Sequence, residues 1–317
     1  MRKVCCRHAP YIDSCLENMD FMKTYWKAKA SDAAMLLLVG SGGNNVLTKG
    51  VAKWFVKRGV NALGIGPEDG AGYHSFPLEQ VEAAIRFLQE QGNRRIGILG
   101  ASITTIPVLL SAARFPEISL TIVVTPCDFV LQGFSKKKRD GCAEWPAEGE
   151  SMLTWRGEPL PYVPYAYQHP RYWQMVTEET KGSGNLLSSM RLYRDTEACA
   201  ALTEDVMIPV ENIRGRLLLI GCEDDCLWPT AQYIRRMDER LKNRVHESRY
   251  DALIYAHGTH FAFPESMLHQ LLPVGADFLV GRAFRAAREY PKECRETRED
   301  IDRRIKQAIQ EWLTETV

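Results

Sequence analysis

Short apolar segments alternate with helical segments along most of this chain, and this alternation limits its possible folds more than any other feature. Apolar residues recur at a helical spacing over Pro77–Gln91 and Trp228–Leu241. Strands that alternate with helices form a mostly parallel sheet with helices on both faces, so the sequence predicts an α/β fold. The segments predicted to be buried strands are Ala33–Val39, Val60–Ile65, Arg95–Leu99, Leu120–Thr125, Arg216–Ile220 and Arg249–Tyr255.

The alternation stops between about residues 132 and 210, where Pro, Gly, Trp and Tyr are frequent and little periodicity remains. An irregular segment of this length within a compact domain usually forms a lid or carries function. We therefore predict a single domain over residues 1–317 with a lid inserted at about 132–210. The tail Glu299–Val317 is predicted to be an amphipathic closing helix.

Charge content argues against a polyanion partner. The chain has 40 Lys and Arg against 40 Asp and Glu, whereas a nucleic-acid-binding domain normally shows a basic excess or patch. The dense basic run Lys136–Arg139 lies in a polar stretch and is predicted to be a solvated loop. We expect no nucleic-acid partner.

Cysteine usage and hydropathy indicate the compartment. The nine cysteines are odd in number and form no paired CxxC units at zinc spacing, so we expect free thiols and no metal. The longest apolar run, Ala33–Val39, is too short to cross a bilayer, and no apolar run follows the N-terminal Met-Arg-Lys. We therefore expect a cytoplasmic monomer or homodimer with no membrane partner.

A Gly-x-Ser-x-Thr sequence, Gly100-Ala101-Ser102-Ile103-Thr104, joins the third predicted strand to a helix. In α/β-hydrolases a turn of this kind presents the nucleophilic serine above the sheet. Gly100 leaves room in the tight turn, and the Ile103 amide lies where it donates to a developing oxyanion. Thr104 stands where the second glycine of the usual motif would be. The alternative is that Ser102 only caps the following helix.

Two carboxylates follow the predicted strand Arg216–Ile220, and this fold places its acid between the serine and the histidine in chain order. Such an acid holds the imidazole in the correct tautomer. We prefer Asp225 to Asp224, because its spacing to Trp228 and Pro229 fits a turn that leads into the next helix. The alternative is a solvated acidic turn.

Two histidines follow the last predicted strand, Arg249–Tyr255, where this fold carries its general base. We prefer His260 to His257, because Gly258 and Thr259 give a flexible approach to it. The alternative is that a histidine in this loop is merely exposed.

A Gly-rich segment, Gly40–Asn44, follows the first predicted strand. Loops at this position supply the second oxyanion donor in esterases, so we predict that the Gly42 or Gly43 amide has this role. Gly-rich turns also cradle phosphates. The segment lacks the G-x-G-x-x-G pattern, and Val60–Ile65 ends without the expected acidic residue, so we predict no dinucleotide cofactor.

The sequence resembles the C-terminal catalytic domain shared by acyl-CoA thioesterases and bile acid-CoA:amino acid N-acyltransferase, with dienelactone hydrolases as more distant relatives. The resemblance spans roughly Ala33 to Pro264. It implies an α/β-hydrolase fold and places the family's nucleophile on Ser102, its acid on Asp225 and its base on His260. Beyond the elbow and the Gly-rich loop, it rests on the segments Leu153–Tyr162, Val210–Gly215 and Asp224–Pro229.

The resemblance implies a serine hydrolase that cleaves a small acyl ester or an acyl-CoA thioester through an acyl-enzyme. A carboxylesterase of the dienelactone type and a non-catalytic binding protein on a hydrolase scaffold are the alternatives. Aromatic residues of the predicted lid are expected to form the acyl pocket, with Trp155 and Tyr162 as substrate-binding candidates. Alternatively, these aromatic residues only hold the lid together: Trp145, Trp155, Tyr162, Tyr165, Tyr167, Tyr172 and Trp173.

Overall fold

The computed structural model of the protein describes residues 20–40, 42–67, 72–135 and 144–315. The predicted loop Lys136–Arg139 therefore lies outside the described residues. Within them the strands, in chain order, are β1 (Tyr25–Trp26), β2 (Ala33–Leu38), β3 (Asn61–Gly64), β4 (Phe76–Pro77), β5 (Arg95–Ala101), β6 (Ile118–Val124), β7 (Gln132–Ser135), β8 (Trp145–Ser151), β9 (Leu153–Trp155), β10 (Glu158–Pro159), β11 (Arg216–Cys222) and β12 (Arg249–Tyr255). The α-helices are α1 (Val46–Val56), α2 (Glu79–Glu90), α3 (Thr105–Arg114), α4 (Arg171–Thr180), α5 (Met190–Cys199), α6 (Thr230–Asn243), α7 (Glu265–Leu271), α8 (Ala276–Ala283), α9 (Arg285–Glu289) and α10 (Pro291–Thr314).

The central sheet contains seven strands in the order β1-β3-β2-β5-β6-β11-β12. All six predicted strands lie in this sheet, and every neighbouring pair from β3 to β12 is parallel. β1 pairs antiparallel with β3 at one edge. The sequence does not predict β1, because Tyr25 and Trp26 form too short a segment to stand out as an apolar run. The predicted mostly parallel sheet is confirmed.

Helices cover both faces of the sheet. Successive side chains of a strand point to opposite faces, and β2 is buried along its whole length. Leu36 and Leu38 belong to an apolar cluster that includes buried residues of α2, α3 and α6. Met35 and Leu37 belong to a second cluster, with buried residues of α1 and α10. The sheet therefore lies between two helical layers, as expected for a parallel sheet.

The segment 132–210 holds more regular structure than its sequence predicts. β7 and β8 pair antiparallel, β9 pairs with β10 and β4, and α4 and α5 follow. Its buried tyrosines Tyr165, Tyr172 and Tyr193 belong to the same apolar cluster as α2, α3 and α6. The action of this segment as a lid and the single-domain organisation stay predictions.

The closing helix begins earlier than predicted, at Pro291 rather than Glu299. Proline at the first helical position costs no hydrogen bond, because that N–H has no partner within the helix. Buried Cys294, Ile301 and Ile305 then anchor the helix on the protein. No helix of the described part of the chain is long and apolar enough to cross a membrane.

Candidate active site

The predicted site residues meet at the carboxyl edge of the parallel strands. Ser102 follows β5, Asp225 follows β11 and His260 follows β12. His260 Nε2 lies 2.7 Å from Ser102 Oγ. On the other side of the imidazole ring, Nδ1 lies 2.8 Å and 3.0 Å from the two carboxylate oxygens of Asp225. These contacts join three segments that are far apart in sequence into one hydrogen-bonded line.

The turn that carries Ser102 is tight. Ser102 has a φ of 58°, in the left-handed region that non-glycine residues rarely adopt. A Cβ on Gly100 would lie 2.7 Å from Val108 Cγ2 and 2.9 Å from the Thr104 carbonyl oxygen. A side chain at residue 100 would therefore collide with the helix that follows. The N-cap residues here are Ala101, for the turn Ser102–Thr104, and Thr104, for α3, so Ser102 is not the N-cap of the following helix.

Thr104 occupies the motif position where a glycine is usual, and its side chain is almost completely buried. Thr104 Oγ1 lies 2.5 Å from the Leu38 carbonyl oxygen and accepts the Ala101 N–H at 2.9 Å. The hydroxyl therefore bridges the elbow to the end of β2, immediately before the Gly-rich loop.

Asp225 is held by more than the histidine. Its Oδ1 accepts the Leu227 N–H at 2.9 Å, and its Oδ2 accepts the Thr230 hydroxyl at 2.8 Å. Asp225 and His260 are 2% and 5% exposed, so this pair is shielded from water. Because carboxylate oxygens accept hydrogen bonds, His260 Nδ1 donates, which leaves Nε2 as the acceptor for the Ser102 hydroxyl.

The two alternative residues form a separate pair. His257 Nδ1 lies 2.9 Å from Asp224 Oδ2, and the imidazole stacks on the Tyr290 ring with centroids 3.9 Å apart. The two acidic residues and the two histidines therefore form two separate pairs, Asp224 with His257 and Asp225 with His260. Of these two histidines, His260 is the one that contacts Ser102.

A cavity of about 400 Å³ opens onto Ser102 and His260. The Trp228 ring forms part of its wall and packs edge-on against the His260 ring, with centroids 5.6 Å apart. Seven aromatic residues contribute to its lining and give it a largely apolar character, which suits an acyl chain. The aromatic lining residues are Tyr73, Phe134, Tyr165, Tyr172, Trp173, Tyr193 and Trp228.

Trp155 and Tyr162, the substrate-binding candidates from sequence, are not among the described residues that line this cavity. Trp155 packs against Phe115, and the Arg114 guanidinium lies 4.4 Å from the centre of its ring. Tyr162 packs against the larger apolar cluster. Tyr193 lines the cavity instead, and no sequence pattern singles it out. Trp155 and Tyr162 therefore contribute to packing at this point of the fold.

Of the predicted oxyanion donors, Ile103 lines the cavity, whereas Gly42 and Gly43 are not among the described residues that line it. Gly40, at the start of the Gly-rich loop, does line it. The Gly42 carbonyl accepts an Asn45 side-chain N–H at 2.7 Å, and a Cβ on Gly43 would lie 2.4 Å from the Gly64 carbonyl oxygen. Gly43 must therefore be glycine for packing reasons alone. The role of a Gly42 or Gly43 amide stays a prediction, and Ser41 lies outside the described residues.

The cysteines near the site are poor nucleophiles. Burial raises the pKa of the Cys226 thiol to about 12 and that of Cys294 to about 11, and it raises the pKa of Cys222 well above its ordinary value. A thiol reacts as its thiolate, so a raised pKa lowers the nucleophilic reactivity of these three cysteines. Within the described ranges, no group of three His, Cys, Asp or Glu residues is arranged to hold a metal ion. Cys5, Cys6, Cys15 and Cys142 lie outside those ranges.

A comparison with protein families matches residues 76–270 to the family described as BAAT / Acyl-CoA thioester hydrolase C terminal. The chain belongs to this family. The match covers more than half of the chain and includes Ser102, Asp225 and His260. It confirms the resemblance drawn from the sequence. No curated protein matches the chain at a significant level.

The solved structures that match the chain include esterases. An esterase of Pyrococcus furiosus is 13% identical, with 90% of this chain and 84% of that chain covered and a TM-score of 0.42. An esterase domain from Rhodothermus marinus is 15% identical, with 82% and 91% covered and a TM-score of 0.40. The family and the sheet order identify the fold as that of an α/β-hydrolase, as predicted. The family places the protein among hydrolase-like enzymes of the thioester hydrolase type.

Proposed function

We propose that the protein is a serine hydrolase that cleaves an acyl ester or acyl thioester, with Ser102 as nucleophile, His260 as base and Asp225 as the orienting acid. The observation that carries the proposal is the 2.7 Å contact between His260 Nε2 and Ser102 Oγ beside an apolar cavity. Asp225 supports it, because its two oxygens hold the opposite ring nitrogen.

In the proposed reaction His260 Nε2 removes the Ser102 proton while Oγ attacks the acyl carbonyl carbon. The tetrahedral oxyanion is stabilised by the Ile103 amide and by the Gly42 or Gly43 amide. His260 then gives its proton to the departing alcohol or thiol, which leaves an acyl group on Ser102. Water attacks this acyl-enzyme by the same steps and releases the carboxylic acid. A bound amine in place of the water would make the reaction an acyl transfer.

The choice between thioester and ester depends on charge. A CoA thioester carries several negative charges, whereas the chain has no net charge to attract it. Recognition of CoA would therefore require local basic residues, and the densest basic run, Lys136–Arg139, lies outside the described residues. The aromatic cavity accommodates the acyl part in either case. We also propose a cytoplasmic location, in line with the cysteine usage, and a monomer or homodimer.

The test is a side-by-side measurement of kcat/KM on p-nitrophenyl esters and on acyl-CoAs of increasing chain length. Ser102→Ala serves as the control, because it removes only the proposed nucleophile. We expect saturable hydrolysis of at least one series by the wild-type protein and background rates for Ser102→Ala. Background rates for the wild-type protein on both series would favour a non-catalytic binding protein.

A further inference from the structure

Three tyrosines stand together in the wall of the cavity. Tyr165, Tyr172 and Tyr193 all line it and are 4%, 6% and 8% exposed. The ring centroids of Tyr165 lie 5.2 Å from Tyr172 and 6.1 Å from Tyr193. We call these three residues the tyrosine cluster. An aliphatic wall would serve an unsubstituted acyl chain equally well, so the three hydroxyls call for a separate explanation.

The hydroxyls of the tyrosine cluster are only partly satisfied by one another. The Tyr193 side chain interacts electrostatically with both Tyr165 and Tyr172. Each hydroxyl has one O–H to donate and two lone pairs to accept with. Bonds from Tyr193 to its two neighbours would use two of the three O–H groups, and among the described residues no hydrogen bond joins these hydroxyls to a residue outside the cluster. At least one O–H donor therefore remains for a group inside the cavity.

The chemistry of the cluster selects a neutral group. Burial raises the pKa of all three tyrosines well above the ordinary value, so their hydroxyls stay protonated. A negatively charged substituent buried at this point would lose its hydration in a cavity that Glu144 also lines, and a neutral hydroxyl does not compensate a full charge. A neutral oxygen that accepts an O–H, such as a hydroxyl or a ketone, has no such penalty.

The cluster also lies at a useful distance from the proposed nucleophile. The Trp228 ring packs against His260 on one side and against Tyr193 on the other, with centroids 5.6 Å and 5.2 Å apart. The tyrosines are therefore one aromatic ring away from the triad, along the wall of the same cavity. An acyl chain that is attached at Ser102 reaches them after several carbons.

We propose that the acyl group of the substrate carries a neutral oxygen substituent, a hydroxyl or a ketone, several carbons from the scissile carbonyl, and that the tyrosine cluster binds it. The position of the scissile carbonyl rests on the proposed function. Binding of the oxygenated chain in the cavity does not require catalysis.

The kinetic test compares straight-chain acyl esters with counterparts that carry a hydroxyl at successive positions along the chain. For the best position we expect kcat/KM to exceed that of the plain ester by up to about tenfold, the effect of one neutral hydrogen bond. In Tyr193→Phe and Tyr165→Phe this preference falls toward unity. Tyr167→Phe is the matched control, because Tyr167 bonds to Asp195 and does not line the cavity, and it retains the wild-type preference.

A binding test separates this inference from the proposed function. Calorimetry on Ser102→Ala measures the affinity for acyl carboxamides with and without the hydroxyl, so it needs no turnover. Tighter binding of the hydroxylated amide, lost in the double variant with Tyr193→Phe, supports the cluster even if no ester is hydrolysed. Equal affinities for both amides, or a preference that survives Tyr193→Phe and Tyr165→Phe, would overturn it.

Discussion

Thr104 gives the sharpest test of how the elbow is held. Its hydroxyl joins the Leu38 carbonyl at the end of β2 to the Ala101 amide at the end of β5, immediately before Ser102. Valine has the same shape as threonine but no hydroxyl, so Thr104→Val removes this bridge and leaves the packing nearly unchanged. Both backbone groups then lose a partner in a buried site.

The expected cost follows from these contacts. Each buried polar group that loses its partner costs about 1–3 kcal/mol, so we expect Thr104→Val to lower the free energy of unfolding by about 2–4 kcal/mol. The Ile103 amide and Ser102 are then free to shift relative to the Gly-rich loop. A displacement of this kind lowers rates by up to about 100-fold, so we expect kcat to fall by about 10- to 100-fold.

Thr104→Ser is the matched control. It keeps both hydrogen bonds and loses one methyl group, for a cost of about 1 kcal/mol. The assay is urea unfolding followed by fluorescence, together with kcat on the best substrate of the ester and thioester panel. If Thr104→Val is as stable and as active as Thr104→Ser, the hydroxyl bridge does not hold the elbow and this explanation is wrong.

Three further predictions concern the acid, the thiols and a buried ion pair. Asp225→Asn should lower kcat by roughly 10³- to 10⁴-fold with little change in KM, whereas the kcat of Asp224→Asn should stay within a few-fold of the wild-type value. Similar losses of kcat in both variants would refute our assignment of the acid. The raised pKa of Cys226 favours its protonated form in the folded state, so the free energy of unfolding should fall as the pH rises from about 9 to 12. The fall should be less steep in Cys226→Ser, and urea midpoints measured against pH check this. Arg236→Met should lower the free energy of unfolding in urea by about 3–5 kcal/mol, because the buried Asp128 carboxylate, which Arg236 binds through two 2.6 Å contacts, is left without its ion-pair partner. A loss below about 1 kcal/mol would contradict this.

The positions of the candidate triad residues could be predicted because each follows a strand that the sequence marks clearly. Parallel strands end at the same edge of a sheet, so residues after β5, β11 and β12 meet there. The sequence also ranked the neighbouring candidates by local turn chemistry, and the structure pairs Asp225 with His260 and Asp224 with His257. That second pair was not predicted.

The cavity wall was much less predictable. Phe134, Tyr165 and Tyr193 come from a strand, a loop and a helix of the segment 132–210, which shows no dominant period in sequence. Their convergence depends on how these elements pack on the sheet, and this information is not local. Trp155 and Tyr162 are the substrate-binding candidates from sequence, yet Trp155 packs against Phe115 and Tyr162 packs against the larger apolar cluster.

The most direct test of the central claim is the site of covalent labelling by a fluorophosphonate probe, mapped by mass spectrometry of peptides. We predict one probe per chain, on Ser102, with no labelling of Ser102→Ala and much slower labelling of His260→Ala. Labelling of Ser102→Ala to the same extent as the wild-type protein would contradict the assignment of Ser102 as the nucleophile.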